Sequence, residues 1–344
     1  MRARHGRARA PALVVRAARC VEYGPPSAVV IEDVPDPTPG PGEVVVRVVA
    51  AGVNYPDALI VADRYQVSAP LPFTPGSEFA GVVTAVGASV ERVHVGDRVR
   101  GGAFVGAFAE QVVVAEAALA PVPEGVELGV AAAYGVTYET AYHALVTVGC
   151  VQPGEWVAVL GAAGGVGSAA VELGHLLDAR VVAAASSPAK LDVCRAMGAD
   201  AVIDYSTEDL KERLKELTGG GADVVIDPVG GPYAEPALRA MRWGGRFVIV
   251  GFASGEIPRI PLNLVLLKGV TITAFEFRGF GTHRPEAMAA ATAALRDMIA
   301  TGRIRPHISA VYPLEATARA LDDVLGRRST GKVLIDPTIR QEQQ

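Results

Sequence analysis

The stretch Val157-Ala158-Val159-Leu160-Gly161-Ala162-Ala163-Gly164-Gly165-Val166-Gly167 constrains the fold more than any other part of the chain. A short apolar run of β-forming residues ends in a glycine cluster. It then passes into Ser168-Ala169-Ala170-Val171-Glu172-Leu173, whose spacing is helical. Glycines admit a tight turn, let backbone N–H groups approach a diphosphate, and let the helix pack close on the strand with its positive end toward the anion. The usual G-x-G-x-x-G spacing reads Ala162-Ala163-Gly164-Gly165-Val166-Gly167 here, with alanine first. Alone, such a turn also suits an α/β core that binds nothing, so the rest of the chain has to decide.

At 344 residues the chain is long enough for two domains. From 17 to about 123, short β-runs at 44–50, 81–86, 98–100 and 110–114 are split by proline and glycine turns such as Pro37-Thr38-Pro39-Gly40-Pro41-Gly42. This predicts an all-β unit, a partly closed barrel. From Tyr138 the pattern changes to β-runs alternating with helical periods. Six strands are expected, at 157–160, 181–185, 201–203, 224–226, 247–250 and 270–274, which predicts a doubly wound parallel sheet. Residues 281–301 read as a helix, and the tail holds another at 314–325 and a last strand at 332–335. Strand content thus flanks the α/β half, and the tail is expected to return to the first domain. The expected division is an extension over 1–15, a barrel domain over 16–138 completed by 281–344, and a nucleotide domain over 139–280.

A net charge of −5 with both signs interspersed offers no basic face to nucleic acid or an anionic membrane. No run of about 18 residues is free of polar interruption, so no membrane span is expected. Cys20, Cys150 and Cys194 are odd in number and far apart, which suits neither a disulfide framework nor a cysteine-built zinc site and points to a reducing cytoplasm. Residues 1–15 carry Arg2, Arg4, Arg7 and Arg9, but the apolar part is too short for a secretory signal. They read as a disordered or artefactual extension.

In such a sheet the second strand ends at the residue that meets the adenosine ribose. Here 181–185 is followed by Ser186-Ser187-Pro188-Ala189-Lys190, with no Asp or Glu to accept hydrogen bonds from ribose hydroxyls. Small hydroxyl residues and a lysine one turn later suit a 2′-phosphate, which a carboxylate would repel. The expected cofactor is therefore NADPH (NADP+) rather than NADH. Asp204-Tyr205, Asp227-Pro228-Val229-Gly230-Gly231 and Gly251-Phe252-Ala253-Ser254-Gly255 lie at other strand ends where ligands of open α/β sheets sit.

These pieces, with Ala51-Gly52-Val53-Asn54-Tyr55-Pro56-Asp57, Pro75-Gly76-Ser77-Glu78-Phe79-Ala80-Gly81, Gly96-Asp97-Arg98-Val99 and Val136-Thr137-Tyr138, give the chain a marked likeness to one family. From residue 16 to 337 it resembles the zinc-free NADPH:quinone oxidoreductase branch of the medium-chain dehydrogenase/reductase superfamily. The resemblance implies a GroES-like β-barrel domain on the substrate side, a Rossmann-type doubly wound parallel sheet for the nucleotide, and an active-site cleft between them. Asn54 stands where zinc-dependent relatives carry a cysteine ligand and Ser77 where they carry a histidine, leaving Glu78 alone of the set. Three competent side chains are needed, so no metal site is expected. Without a Lewis acid, the suitable chemistry is hydride transfer to an already activated acceptor such as a quinone or conjugated enone.

By the same resemblance Asn54 and Tyr65 line the cleft as candidate catalytic residues, Asn54 orienting a carbonyl and Tyr65 either donating a proton or covering the substrate. The resemblance places Thr137 near the nicotinamide and Ala162, Gly164, Gly165, Val166 and Gly167 at the diphosphate. Gly251, Phe252 and Ala253 fall at the nicotinamide half, while Ser186, Lys190, Tyr205 and Arg327, with Ser187 beside them, form the 2′-phosphate site. Leu59 departs from quinone reductases that carry a cleft tyrosine there, which leaves the acceptor open between a quinone and an enone, alkenal or enoyl thioester. A nucleotide-binding protein with a structural role is the alternative of another class, against which the intact glycines and Asn54 weigh. A homodimer through the apolar edge strand at Val270-Thr271-Ile272-Thr273-Ala274-Phe275 is also expected.

Overall fold

A computed structural model describes residues 14–340. Strands β1 (Val14–Cys20) and β2 (Val29–Pro35) form an antiparallel hairpin. Strands β3 (Glu43–Val53), β4 (Glu78–Val86), β5 (Arg98–Gly102), β6 (Gln111–Ala115) and β7 (Leu119–Pro121) form an antiparallel sheet ordered β3-β4-β5-β7, with β6 also paired to β3. Gly81 lets two of these strands approach, because a Cβ there would overlap the Arg47 carbonyl oxygen. The short helix α1 (Tyr55–Val61) leaves the end of β3. Helices α2 (Leu128–Ala133) and α3 (Gly135–Tyr142), the latter continued by a π-type turn at His143–Val148, lead to the second half.

There the chain alternates β8 (Trp156–Leu160), α4 (Gly165–Leu176), β9 (Arg180–Ala185), α5 (Pro188–Ala196), β10 (Ala201–Asp204), α6 (Leu210–Thr218), β11 (Ala222–Asp227), α7 (Ala234–Arg239), β12 (Met241–Ile249), α8 (Leu262–Lys268) and β13 (Thr271–Ala274). All six strands are parallel, in the order β10-β9-β8-β11-β12-β13. Helices cover both faces, so the inner strands β8, β9 and β11 are buried nearly throughout, Val181 through Ala185 completely. The strand order reverses between β8 and β11, and the crevice beyond those strand ends is where open sheets of this kind bind ligands.

The expected helix over 281–301 is two helices, α9 (Phe277–His283) and α10 (Pro285–Ala300), because the proline ring at 285 cannot continue a preceding turn and instead opens the next one. Strands β14 (Ile308–Pro313) and β15 (Lys332–Asp336) rejoin the first sheet, with β15 antiparallel to β3 and Leu334 opposite Gly52. Between them, α11 (Thr317–Leu325) follows a 3-10 turn at Leu314–Ala316. The return to the barrel is thus made by β14 and β15, whereas Leu295 and Ile299 of α10 bury in the same core as Tyr138, Leu145 and Val159. The expected extension over 1–15 lies outside the described residues, apart from Val14 and Val15, which pair in β1. No helix among the described residues is long and apolar enough to cross a membrane.

Candidate active site

The glycine cluster folds as its sequence demands. Gly161 turns with φ +57°, in the left-handed region, and its N–H-rich turn delivers the chain to the N-terminus of α4. A Cβ at Gly167 would overlap the Gly161 carbonyl oxygen, so only glycine lets α4 sit this close to β8. A Cβ at Gly165 would come within 3.0 Å of Thr137 Cγ2 and 3.5 Å of the Gly331 carbonyl oxygen. Thr137 on α3 and the start of β15 therefore frame the turn, and the Gly331 N–H donates to the Ala163 carbonyl oxygen at 2.7 Å. Ala162 and Ala163 are buried, which a small side chain permits and a larger one would not.

Ser186, Ser187, Lys190, Tyr205 and Arg327 meet at the end of β9. Ser187 caps α5, accepting from the Lys190 N–H at 3.5 Å. Lys190 Nζ donates to Ser186 Oγ at 3.2 Å and to the Arg327 carbonyl oxygen at 2.8 Å. Burial, and next the Arg327 charge, push the Lys190 ammonium below its ordinary pKa. Burial raises the Tyr205 hydroxyl to about 12, with Ser186 and Arg327 acting in the opposite sense. Two cations and three hydroxyls stand together, a setting that favours an anion.

Gly251, Phe252 and Ala253 follow β12. The Gly251 N–H donates to the Asp227 carbonyl oxygen at 3.3 Å and that of Ala253 to the Pro228 carbonyl oxygen at 3.0 Å, which holds this loop over the end of β11. Tyr55 Oη reaches the Ala253 carbonyl oxygen at 3.4 Å, joining α1 of the barrel side to this loop of the nucleotide side.

Asn54 opens α1, yet its carboxamide does not cap the helix. Asp57 does, its Oδ2 accepting from the Asn54 N–H at 2.7 Å. The Asn54 side chain enters a buried cluster instead: Nδ2 donates to Glu78 Oε1 at 2.9 Å and to Ser77 Oγ at 3.2 Å, while Oδ1 accepts from Lys332 Nζ at 2.6 Å. Lys332 also forms an ion pair with Glu78, and Glu78 Oε2 accepts from the Val136 N–H at 2.9 Å. Gly52 and Gly135 leave room for this carboxylate: a Cβ at either would stand within 2.7 Å of it. Burial lifts the Asp57 carboxyl to about 7, against the lowering pull of the Asn54 N–H, Ser77 and Lys332. A second ion pair, Arg100 to Glu139 at 2.7 Å, lies alongside, with Arg100 over the Tyr134 ring.

Tyr65 is half-buried at the rim of the same side. Burial raises its hydroxyl pKa, and the charges of Glu276, Arg278 and Asp57 all act on it. Arg278 of α9 stacks over Phe104 at 4.8 Å.

Sequence profiles of the "Alcohol dehydrogenase GroES-like domain" and "Zinc-binding dehydrogenase" families match residues 40–124 and 165–294. The chain is 40% identical over 322 residues to quinone oxidoreductase-like protein 2 of Bos taurus, covering 93% of this chain and 92% of that protein. It is 31% identical over 333 residues to the quinone oxidoreductase of Homo sapiens, covering 94% and 98%. The crystal structure of Escherichia coli quinone oxidoreductase complexed with NADPH superposes with a TM-score of 0.87 at 29% identity, covering 94% of this chain and all of that one. The chain belongs to the zinc-free quinone oxidoreductase branch of the medium-chain dehydrogenase/reductase superfamily.

The donor set agrees with that branch. Among the described residues no group of three or more His, Cys, Asp or Glu side chains is gathered. Asn54 and Ser77 are poor zinc ligands, and Glu78 is committed to Lys332, Asn54 and the Val136 N–H. These residues do not fit a catalytic zinc. Lys332 had no signal in the sequence, being one lysine at the head of an apolar strand 278 residues from Asn54. Asp57 had one: Asn-x-x-Asp is capping-box spacing.

Proposed function

We propose that this chain is an NADPH-dependent oxidoreductase that delivers hydride to a quinone or another activated conjugated acceptor without a metal. The observation that carries the cofactor is the corner where Lys190 and Arg327 meet Ser186 and Tyr205, with no Asp or Glu in the 186–190 segment that follows β9. In this reading Lys190, Arg327, Ser186, Tyr205 and Ser187 bind the 2′-phosphate. The Gly164–Gly167 turn with Ala162 and Val166 receives the diphosphate at the α4 N-terminus, where helix dipole and free N–H groups favour an anion. Thr137, Gly251, Phe252 and Ala253 border the nicotinamide end.

NADPH supplies the hydride when bound. The protein's part is to align the acceptor, exclude water and stabilise the oxygen on which negative charge grows. Asn54 and Tyr65 stand at that end, on the barrel side of the cleft. Residues 16–138, with the returning tail, make up this substrate side, and 139–280 the nucleotide side. The relatives named quinone oxidoreductase support a quinone as the acceptor. Three separate free thiols support a reducing cytoplasm as its setting.

The chain is further proposed to act as a homodimer. Among the described residues β13 is an edge of its sheet; Leu262 and Leu266 of the preceding α8 are 77% and 80% exposed, and Trp243 of β12 is 81% exposed. An apolar edge of this kind pairs readily with its own copy about a two-fold axis.

NADPH oxidation measured against a quinone, an enone, an enal and an enoyl thioester tests the activity. Turnover with the quinone above the others is expected. Turnover confined to the enoyl thioester would move the enzyme to carbon–carbon double-bond reduction, and none with any acceptor would overturn the reading.

A further inference from the structure

Hydrogen-bond direction inside the buried cluster singles out a residue that the sequence marked only as a lost metal ligand. Lys332 has donors and no acceptor, and the Glu78 carboxylate has acceptors and no donor. The Asn54 carboxamide between them can face only one way, with Oδ1 to Lys332 at 2.6 Å and Nδ2 to Glu78 at 2.9 Å. Its second Nδ2 hydrogen goes to Ser77 Oγ at 3.2 Å. Both amide hydrogens are thereby used, and Asn54 has none left for an acceptor carbonyl. Ser77 accepts that bond, so its own hydroxyl hydrogen must leave in another direction. Asn54, Glu78 and Lys332 are buried, whereas Ser77 is partly open. Asp57 stands beside Ser77 as the resting partner for this hydrogen, a contact that pulls the Asp57 carboxyl down against its burial.

We propose that Ser77 is the hydrogen-bond donor to the acceptor's developing oxyanion, and that Lys332 and Asn54 are positioning residues which polarise it. The inference rests on the reading of the chain as an NADPH-dependent reductase and names the group that does the work at the acceptor's end. Each bond runs the same way: Lys332 Nζ–H to Asn54 Oδ1, Asn54 Nδ2–H to Ser77 Oγ, Ser77 Oγ–H to the acceptor oxygen. Donors aligned head to tail behind a cation strengthen one another, most of all away from water. The chain of bonds thus brings part of the Lys332 charge to the cleft, at the point where zinc-dependent relatives would place a Lewis acid. The balance is simple. Hydride carries two electrons to the acceptor, whose oxygen becomes anionic; Ser77 keeps its proton and donates only a hydrogen bond; the proton that completes the reduction comes from Tyr65 or water.

The test is single-turnover hydride transfer from preloaded NADPH to enones of rising enolate basicity, with wild type, Ser77→Ala and Ser77→Thr, together with NADPH affinity by fluorescence without acceptor. Ser77→Ala is expected to slow transfer about 10- to 100-fold, short of the largest losses seen for oxyanion donors because this site is partly open. The loss should grow with enolate basicity, Ser77→Thr should recover most of it, and NADPH affinity should stay within about twofold of wild type. A loss uniform across the series, or one matched by weaker NADPH binding, overturns the inference. So does wild-type speed in Ser77→Ala. Lys332→Met should slow wild type but add nothing in the Ser77→Ala background, and additive losses would refute the relay; where Lys332→Met does not fold, the Ser77 variants decide alone. A wild type inactive with every acceptor overturns the function reading and this inference with it, whereas an active wild type beside an equally active Ser77→Ala overturns only the inference.

Discussion

Lys190 Nζ donates to the carbonyl oxygen of Arg327 at 2.8 Å, tying α5 of the nucleotide side to the loop that leads into β15. Arg327 holds a left-handed backbone, φ +56°, which a non-glycine residue adopts at some cost. The bond therefore fixes a backbone turn and two cations in one place. A charge-assisted contact to phosphate is worth on the order of 1.5–3 kcal/mol. Lys190→Ala should raise the KM for NADPH at least about tenfold and leave that for NADH nearly unchanged. Steady-state kinetics with both cofactors check this, and equal losses would dissolve the 2′-phosphate assignment.

The commitment of Glu78 to Lys332 bears on metal content. A zinc ion would have to displace a buried ammonium, and removing one partner of such a pair is strongly unfavourable. Activity should survive prolonged chelation, and metal analysis of the purified protein should find no stoichiometric zinc. Activity lost on chelation and restored by zinc alone would contradict this.

Asp57 supplies a pH signature. Its folded pKa, about 7, lies above its ordinary 3.8, so between those values the native state holds a proton that the unfolded chain has released. Stability should fall as pH rises from about 4 to about 7 and change little from this group above that. Asp57→Asn keeps an acceptor for the Asn54 N–H and cannot ionise. Melting curves across that range should be flatter for the variant, and identical slopes would show that Asp57 is not the group concerned.

Which parts of this arrangement could be read from the sequence follows from range. The inner strands β8, β9 and β11 were legible because burial on both faces writes them as continuous apolar runs, and the turn at 161–167 because close packing leaves no room for a side chain at Gly161 and Gly167. Lys190 was singled out because it lies a fixed distance beyond β9, the strand end at which open sheets of this kind receive a ribose. The helix α1 was not, since seven residues after Asn54 carry too little periodicity. Lys332 and Glu78 were not, because their meeting depends on the pairing of β15 with β3 and of β3 with β4. The split at Pro285 was legible in principle and lost to the longer apolar period around it.

The dimer prediction rests on α8 and β13. Leu266 is 80% exposed, so Leu266→Glu should leave the folded monomer intact while placing a charge in an apolar contact. Light scattering at micromolar concentration should show a dimer for the wild type and a shift to monomer for the variant. A wild-type monomer would refute the assignment.

Tyr65 is the group whose role its surroundings leave most evenly balanced between acid and wall. It is half-buried, and burial together with the Glu276 and Asp57 charges raises its pKa, while Arg278 opposes. The hydroxyl thus keeps its proton at neutral pH, as a donor must, and Arg278 would help to stabilise a tyrosinate once the proton had left. General acid help contributes about 10²–10⁴-fold, whereas a side chain that only packs on the acceptor mainly affects binding. Tyr65→Phe separates the two by keeping the ring and removing the proton. A reduced quinone anion is weakly basic and takes its proton readily from water, so kcat with quinones should fall less than about tenfold. An enolate is more basic, and the fall with enones should be larger. Stopped-flow rates for both acceptor classes give the comparison: a large loss with quinones would make Tyr65 an obligatory acid, and no loss with either would leave it a wall of the cleft.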